Sequence, residues 1–362
     1  MQKAHRKLPK VMMGVFVLMI ILLIVNWGGE VEQFRDKEGH ILEKSIAEKV
    51  FVDINGVKLG MFIRGKDINN PVLLFLHGGP GMPEYFLKED YPINLEEHFT
   101  VVWLEQRGAG LSYSNKINPD SITVERFIED DAEVTKYLCQ RFNKQKVYLM
   151  AHSWGTCIGI RLVQKYSDLY EAYIPMAQMT DQEESEKLAY EYMLSYYKEN
   201  GDTETLKKLQ EAGFDTKAYS KIRDSVMHKA GIGTTRDMKS VIKGIFFTSL
   251  GCKEYSLVER INIWRGRLFT LNAWKNNDNE WGKNVQAITE IKVPIYFLHG
   301  KYDYTVNYDM AKAYYEKLKA PKKDFYTFEN SAHSPLFEEP DKAINILVNN
   351  IIKDVESKNN SY

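Results

Sequence analysis

Four short apolar runs, separated by stretches long enough for helices, restrict the fold of this chain more than any other feature. The runs cover residues 72–76, 100–104, 146–150 and 294–298. Each is almost continuously apolar, which is typical of strands buried on both faces of a sheet. Residues 121–142 and 156–166 have the length and composition of helices. This alternation predicts an α/β fold with a mainly parallel sheet flanked by helices on both sides.

An Asn55-Gly56 pair predicts a β-hairpin before the alternation begins. Apolar and polar residues alternate on both sides of the pair, over residues 49–54 and 57–63. Both turn positions of such a hairpin need a positive φ, which Asn and Gly adopt most readily. We therefore expect two antiparallel strands ahead of the parallel ones.

The strand and helix alternation stops between about residues 180 and 288. A capping box from Thr180 to Glu183 opens this segment, and Gly201 is suited to end its first helix. Further helical stretches follow until the strand pattern returns near residue 293. We expect a core made of residues 49–180 and 289–358, with residues 181–288 inserted as a helical cap.

The amino terminus has the features of a membrane anchor. Four basic residues lie within the first ten, and the 19 positions from 11 to 29 carry no charge. A helix of that length spans roughly 28 Å, about the thickness of a hydrocarbon core. A cleaved signal peptide is the alternative, but residues 25–30 lack a good small-residue cleavage pattern. We expect residues 1–29 to be a cytoplasmic tip and transmembrane helix, and residues 30–48 to be a spacer. Within this spacer, residues 30–45 are polar and able to form a helix.

The distribution of charge around this segment predicts its orientation. Basic residues precede the span and acidic residues predominate just after it. The positive-inside rule then places the amino terminus in the cytoplasm. The chain is therefore expected to cross the cell membrane once, with its main domain extracellular.

Composition excludes several other functions. The 362 residues contain 48 Lys and Arg against 49 Asp and Glu, so a net charge of −1 gives no electrostatic basis for nucleic-acid binding. The three cysteines are widely spaced and indicate neither a disulfide framework nor a zinc site. The sequence has no His-Glu-x-x-His motif, no phosphate-binding loop and no complete dinucleotide fingerprint. We expect neither a metal nor a cofactor.

Ser153 is the candidate nucleophile. It lies in Ala-His-Ser-Trp-Gly, residues 151–155, between an apolar run and a helix-sized stretch. A serine in a tight turn from strand to helix has an exposed hydroxyl beside the free N–H groups of the first helical turn. Small flanking residues allow the strand and the helix to approach each other. A serine that only caps the helix is the alternative interpretation.

The loop His-Gly-Gly-Pro-Gly, residues 77–81, is the candidate for binding an oxyanion. It follows the first of the four apolar runs. A backbone N–H that stabilises a tetrahedral intermediate needs a close approach of the main chain, which glycine permits. We predict that the N–H of Gly78 pairs with that of Trp154, with Gly79 as the less favoured donor. An ordinary Gly/Pro turn is the alternative.

His333 and Asp303 are the candidates for a general base and for the residue that orients it. Asp303 follows the apolar run at 294–298, and His333 lies in a polar loop near the carboxyl end. The order Ser153, Asp303, His333 is the one expected for this type of sheet. The imidazole would take the serine proton, and the carboxylate would fix the tautomer of the ring. Asp309 is an alternative orienting residue, and His152 is expected to point away.

Together these motifs resemble the α/β-hydrolase superfamily, in particular its prolyl aminopeptidase (proline iminopeptidase)-like branch. That branch has an H-G-G-P-G loop, a D-Q-R-G-x-G-x-S stretch and a G-H-S-W-G turn. The corresponding residues are 77–81, 105–112 and 151–155, with Glu105 in place of the aspartate and Ala151 in place of a glycine. The resemblance covers about residues 51–180 and 293–355.

The resemblance implies a serine hydrolase that cleaves small peptides or amino-acid amides through an acyl-enzyme. In such aminopeptidases the cap supplies acidic residues for the α-ammonium group of the substrate. The candidates for substrate contacts in this chain are Gly79, Glu105, Glu183, Glu184, Glu186 and Glu191. Carboxylates on a helix that only face solvent are the alternative for the cap residues. An esterase acting on small or lipid-like esters, or a non-catalytic surface-binding protein on the same scaffold, would also fit the sequence.

Overall fold

A twisted sheet of eight strands lies at the centre of the computed structural model, which describes residues 13, 14, 16, 17, 28–276 and 285–359. The strands are β1 (Ile46–Ile54), β2 (Val57–Gly65), β3 (Val72–Leu76), β4 (Thr100–Glu105), β5 (Val147–His152), β6 (Tyr170–Met176), β7 (Ile295–Gly300) and β8 (Lys323–Phe328). Their order across the sheet is β1-β2-β4-β3-β5-β6-β7-β8. β2 is antiparallel to both β1 and β4, whereas the pairs from β4 to β8 are parallel. The predicted mainly parallel sheet is thus confirmed.

The predicted strands agree with the observed ones, and two further strands were missed. The hairpin forms with Asn55 at φ 46° and Gly56 at φ 77°, as the turn requires. β3 has the same bounds as its apolar run. The first and last residues of β4, β5 and β7 lie within two positions of the ends of the corresponding runs. β6 escaped the sequence analysis because Pro175 interrupts its pattern. β8 is an edge strand with mostly half-buried residues, so it lacks a continuous apolar run.

Helices cover both faces of this sheet. The helices are α1 (Val124–Arg141), α2 (Trp154–Lys165), α3 (Gln182–Glu199), α4 (Thr203–Ala212), α5 (Lys217–Ala230), α6 (Thr248–Gly251), α7 (Leu257–Asn276), α8 (Tyr308–Lys317), α9 (Pro335–Glu338), α10 (Pro340–Ile346) and α11 (Lys353–Asn359). Successive side chains of β3 point to opposite faces. Leu74 belongs to the apolar cluster that includes Ile158 of α2, whereas Phe75 belongs to the cluster that includes Leu336 of α9. Each face of the sheet therefore has its own core.

Helices predominate in the described part of the chain between β6 and β7. Residues 181–288, predicted to be a cap, contain α3 to α7 together with a π-helical turn over Ile242–Phe247. The helices α3, α4 and α5 enclose a small apolar cluster of their own, which includes Met193, Leu209 and Met227. This cluster is separate from the two cores of the sheet. The domain boundaries given above stay a prediction.

The predicted membrane span, residues 11–29, falls mostly outside the described residues. None of the helices that the structure describes is both long enough and apolar enough to cross a bilayer. The membrane anchor therefore stays a prediction. Residues 30–45, predicted to be able to form a helix, form none, and an isolated bridge joins Arg35 to Ile41 before β1 begins.

Gly155, the second residue of α2, brings this helix close to β3. A Cβ at this position would lie 2.7 Å from the main-chain oxygens of Leu76 and His77. We expect Gly155→Ala to lower the free energy of unfolding by about 1–3 kcal/mol, because the helix would have to move away from the strand. Urea denaturation measures this loss. Gly251→Ala is the control, since nothing lies within 4 Å of its Cβ position; an equal loss in both variants would contradict the prediction.

Candidate active site

Ser153 occupies the sharp turn between β5 and α2. Its φ is 52° and its ψ −123°, a backbone conformation that residues other than glycine rarely adopt. The turn is held by its N–H, which donates to the carbonyl oxygen of Met176 at 3.0 Å. The residue is 8% exposed. The hydroxyl therefore stands at the carboxyl edge of the parallel strands, where sites of such sheets form.

Three predicted residues meet at this edge. The Oγ of Ser153 lies 2.8 Å from Nε2 of His333, and Nδ1 of His333 lies 2.9 Å from Oδ2 of Asp303. The last two residues come from the loops after β8 and β7, which end at the same edge as β5. Asp309, the alternative orienting residue, is exposed on the first turn of α8. The structure thus brings Ser153, His333 and Asp303 into one chain of hydrogen bonds.

The carboxylate of Asp303 is fully buried among donors. Its Oδ1 accepts the N–H of Val306 at 2.9 Å, and its Oδ2 lies 3.3 Å from Nε2 of His299. Burial by itself raises the pKa of Asp303, but His333 and His299 outweigh this effect and hold the pKa well below 3.8. The group is therefore ionised at neutral pH and can fix the Nδ1–H tautomer of His333. Sequence reasoning missed His299, although its place at the end of β7 could have indicated this contact.

The glycine-rich loop lies beside Ser153, but one predicted donor is already engaged. The N–H of Gly78 donates to Oε1 of Glu84 at 2.7 Å. The prediction that Gly78 binds an oxyanion is therefore wrong, because a buried carboxylate occupies its amide. The amides of Gly79 and Trp154 have no acceptor among the described residues. Gly79, the less favoured alternative, replaces Gly78 as the candidate donor beside Trp154.

A buried ion pair joins the loops around Ser153. Nδ1 of His152 lies 2.8 Å from Oε2 of Glu84, and Nε2 lies 2.9 Å from the main-chain oxygen of His333. A carboxylate and a carbonyl only accept hydrogen bonds, so both ring nitrogens carry a proton. Burial opposes both charges, yet Glu84 raises the pKa of His152 above 6.5 and His152 lowers the pKa of Glu84 below 4.5. His152 is therefore an imidazolium.

The position of His152 differs in part from the prediction. Its ring makes no hydrogen bond to Ser153 among the described contacts, but its centroid lies 4.8 Å from that of the His333 ring. Sequence analysis did not find Glu84 at all. Its only signal was an acidic residue soon after the glycine-rich loop, which is too common to be specific.

Glu338 supports the loop that carries His333. Its Oε1 accepts the N–H groups of Ala332 at 2.9 Å and Ser334 at 3.2 Å, and its Oε2 accepts the N–H of Arg236 at 2.7 Å. Burial raises the pKa of Glu338 to about 7, against the lowering effect of these three N–H groups. One carboxyl group thus connects the loop of the candidate base to the cap.

The predicted substrate contact of Glu105 is not available. The carboxyl group is buried, and it accepts hydrogen bonds from the N–H of Leu111 and the hydroxyl of Tyr255. Burial raises the pKa of Glu105 to about 8, so the group is largely neutral at pH 7. Glu105 fastens the end of β4 to the segment before α7. The prediction that Glu105 contacts the substrate is therefore wrong, and Glu105 has a structural role instead.

The acidic residues predicted for the cap lie on α3. Glu183, Glu184 and Glu191 are exposed, and none of them contacts Ser153, His333 or Asp303 in the described part of the chain. Glu186 is bound by Arg223, whose Nε donates to its two carboxylate oxygens at 2.7 and 2.9 Å. The structure therefore does not bring these carboxylates together with Ser153, and their role in binding stays a prediction.

Comparison with known proteins connects this site to a family. A model of the α/β hydrolase fold matches residues 71–210. The probable aminopeptidase YbaC of Bacillus subtilis is 35% identical over 317 residues, which are 84% of this chain and 96% of that protein.

Solved structures show the same fold at lower identity. The proline iminopeptidase of Mycobacterium smegmatis superposes with a TM-score of 0.62 at 13% identity, covering 86% of this chain and all of that one. A bacterial membrane phospholipase A, described as a virulence factor, superposes with a TM-score of 0.58 at 15% identity, covering 98% of this chain and 97% of that one. The chain is a hydrolase that belongs to the α/β-hydrolase family, in its proline iminopeptidase-like branch.

Proposed function

We propose that this hydrolase uses Ser153, His333 and Asp303 as a catalytic triad to cleave small peptides or amino-acid amides. The observation that carries the proposal is the pair of hydrogen bonds from Ser153 Oγ to His333 Nε2 and from His333 Nδ1 to Asp303, at 2.8 and 2.9 Å. A hydroxyl, an imidazole and a buried carboxylate in this sequence are the parts required for nucleophilic catalysis. The peptide or amide substrate is supported by the relatives that are named aminopeptidase and proline iminopeptidase.

The proposed reaction has two stages, acylation of Ser153 and hydrolysis of the acyl-enzyme. Ser153 Oγ attacks the substrate carbonyl carbon while Nε2 of His333 takes its proton. The negative oxygen of the tetrahedral intermediate accepts hydrogen bonds from the N–H groups of Gly79 and Trp154. The imidazolium then gives its proton to the leaving amine, and an acyl-enzyme remains on Ser153. Water, deprotonated by His333, releases the acid and restores the hydroxyl.

A carboxylesterase acting on small or lipid-like esters is the second candidate. The observation that favours it is the exposed position of the predicted ammonium-binding carboxylates on α3. An aminopeptidase needs a negative group near the substrate's amino terminus, whereas an esterase needs only the triad and an apolar pocket. Both activities share the mechanism above.

Parallel turnover of two substrates separates these functions. Proline β-naphthylamide tests the aminopeptidase, and p-nitrophenyl acetate tests the esterase. We expect hydrolysis of both, with the amide depending on a free amino terminus. Activity on the ester alone would defeat the aminopeptidase proposal.

We further propose that residues 11–29 anchor the protein in the cell membrane, with the hydrolase domain outside. The support is the uncharged sequence of this segment and the four basic residues before it. Protease treatment of intact cells should release the hydrolase domain. Protection of the domain in intact cells, with digestion after lysis, would reverse the orientation.

We expect the activity to decline only at acidic pH. Burial lowers the pKa of His333 below 6.5, although Asp303 acts to raise it. The base must be neutral to accept the serine proton, so protonation abolishes activity as the pH falls through this pKa. The pH profile of kcat/KM should be level through neutrality and reach half its plateau below pH 6.5. A half-point above pH 6.5 would contradict this assignment.

The ion pair of Glu84 and His152 should also affect turnover. Gln at position 84 can still accept the N–H of Gly78, but it removes the negative charge that keeps His152 doubly protonated. His152 then no longer holds the main chain of His333 by a charged hydrogen bond. We expect Glu84→Gln to lower kcat by about 10–100-fold, with KM little changed, because the base is less well positioned.

The same variant should move the acidic half-point to higher pH. The charge of His152 lowers the pKa of His333, and this effect disappears with the charge. Glu254→Gln is the matched control, because Glu254 is a buried carboxylate that binds Arg64 and Lys88 instead of the triad loops. A folded Glu84→Gln protein with unchanged kcat and pH profile would contradict the prediction.

A further inference from the structure

Exposed apolar side chains are concentrated on one part of the cap. Of the ten large hydrophobic residues that are exposed after residue 28 in the described chain, five lie between residues 242 and 268. These five, which we call the cap patch, are Ile242, Phe247, Val258, Ile261 and Leu268, with exposed fractions of 46–64%. Single exposed apolar residues are common, but a cluster of them indicates an interaction surface.

Three members of the cap patch lie on α7, and the other two lie in the π-helical turn before it. At 100° per residue, Val258, Ile261 and Leu268 fall within an arc of about 80° on α7. The π-helical turn packs beside this side of the helix, because the ring of Phe246 lies 5.1 Å from that of Trp264. The neighbouring Phe247 extends the apolar surface from α7 to the turn.

Basic residues surround the patch. Residues 242–276 contain six Lys or Arg and two Glu. Four of these basic residues are exposed, namely Lys243, Lys253, Arg265 and Lys275, whereas Arg260 is buried and Arg267 binds the glycine-rich loop. Both glutamates are neutralised by the core, since Glu259 pairs with Lys49 at 2.7 Å and Glu254 with Lys88 at 2.6 Å. The surface is therefore apolar and positively charged, a combination that favours the interface of an anionic bilayer.

The chain leaves the predicted anchor next to this surface. The N–H of Gly29 donates to the carbonyl oxygen of Lys253 at 2.8 Å, and the N–H of Glu32 donates to Glu254 at 2.9 Å. The two acceptors lie four and three residues before the first residue of α7. A membrane entered by residues 11–27 would thus lie near the first turns of that helix.

We propose that the cap patch rests on the outer surface of the membrane from which the anchor emerges. Its apolar side chains enter the headgroup boundary, and the surrounding lysines and arginines contact anionic headgroups. This inference rests on the membrane anchor under Proposed function, and it is independent of the catalytic triad.

The other side of α7 reaches the glycine-rich loop. Nη1 of Arg267 donates to the carbonyl oxygen of Pro80 at 2.5 Å, and the Oγ1 of Thr270 donates to that of Gly108 at 3.3 Å. One helix therefore contacts the bilayer surface with one side and the candidate oxyanion loop with the other.

Quenching by brominated lipids tests the proposal on the full-length chain. The protein is placed in liposomes of phosphatidylcholine and phosphatidylglycerol, with bromine on the acyl chains. Cys139→Ser removes the one cysteine that is not buried. A bimane probe is then attached at Leu268→Cys, or at Val258→Cys if the first variant does not fold. The control is Glu316→Cys on α8, which packs against β7 and β8 at the opposite edge of the sheet from β1.

We expect the brominated lipid to reduce the fluorescence of the probe at position 268 or 258 and to leave that at position 316 unchanged. Protein that floats with the liposomes but shows no quenching in the patch would overturn the inference while leaving the anchor intact. Equal quenching at position 316 would also overturn it, because contact would not be confined to the patch. Protein that does not float would contradict the proposed anchor, and the inference with it.

Discussion

Ser153→Ala is expected to reduce kcat/KM by about 10⁴-fold or more on any substrate of this protein. In the proposed mechanism this hydroxyl, 2.8 Å from Nε2 of His333, forms the covalent bond to the substrate, and alanine has no group that can replace it. Residual activity would come from the N–H groups of Gly79 and Trp154, which remain in place. Steady-state kinetics on the amide and the ester measure the loss.

Ser334→Ala is the matched control for this variant. Ser334 is also buried and directly follows His333, but its hydroxyl has no hydrogen-bond partner among the described residues. We expect it to keep activity close to that of the unmodified protein. A Ser153→Ala protein that retained more than a tenth of the activity would remove this serine from the mechanism.

Asp303→Asn is expected to lower kcat by about 10⁴-fold with little change in KM. The asparagine keeps the shape of the side chain but loses the charge that stabilises the imidazolium of His333. Its amide N–H₂ can also donate to Nδ1, which would move the ring proton to Nε2. The ring would then face Ser153 with a donor and could not accept the serine proton.

The control for this second variant is Asp309→Asn. Asp309 is close in sequence, but it is exposed on α8 and does not contact His333 in the described contacts. Its substitution should leave kcat almost unchanged. Equal effects of the two substitutions would show that Asp303 does not orient the base.

Much of the fold could be predicted because buried parallel strands leave a simple pattern. The runs at 72–76 and 100–104 are apolar throughout, and they correspond to β3 and β4. β6 lies equally deep in the sheet, but Pro175 breaks its pattern, so its position depends on pairing with β5 and β7. The position of β6 is therefore determined by tertiary contacts, and the local sequence does not show such contacts.

The positions of the three candidate catalytic residues could be predicted from chain order. Ser153 and Asp303 follow predicted parallel strands, whose carboxyl ends collect at one edge of the sheet. His333 follows β8, which was not predicted, and it was chosen because the order Ser, Asp, His is expected for this type of sheet. The contacts of the amide of Gly78 and the ring of His152 depend on the path of the loop that carries Glu84. The sequence shows that a carboxylate is present in this loop but not where its oxygen atoms lie.

In the cap, too, the sequence predicted the helices but not the directions in which their side chains point. Its composition predicted helices correctly, yet the side of α3 that faces solvent depends on its packing against α4 and α5. Glu186 turns toward Arg223, whereas Glu183 and Glu191 face outward. A pattern of carboxylates on a helix therefore does not show which of them are exposed to solvent.

Mapping the site of a covalent probe tests the central claim most directly. The full-length protein is treated with a fluorophosphonate, which reacts with activated serine hydroxyls, and the modified peptide is identified by mass spectrometry. We expect one phosphonate per chain, attached to Ser153, and no labelling after Ser153→Ala. Labelling at another serine, or undiminished labelling of the variant, would contradict the assignment of Ser153 as the nucleophile.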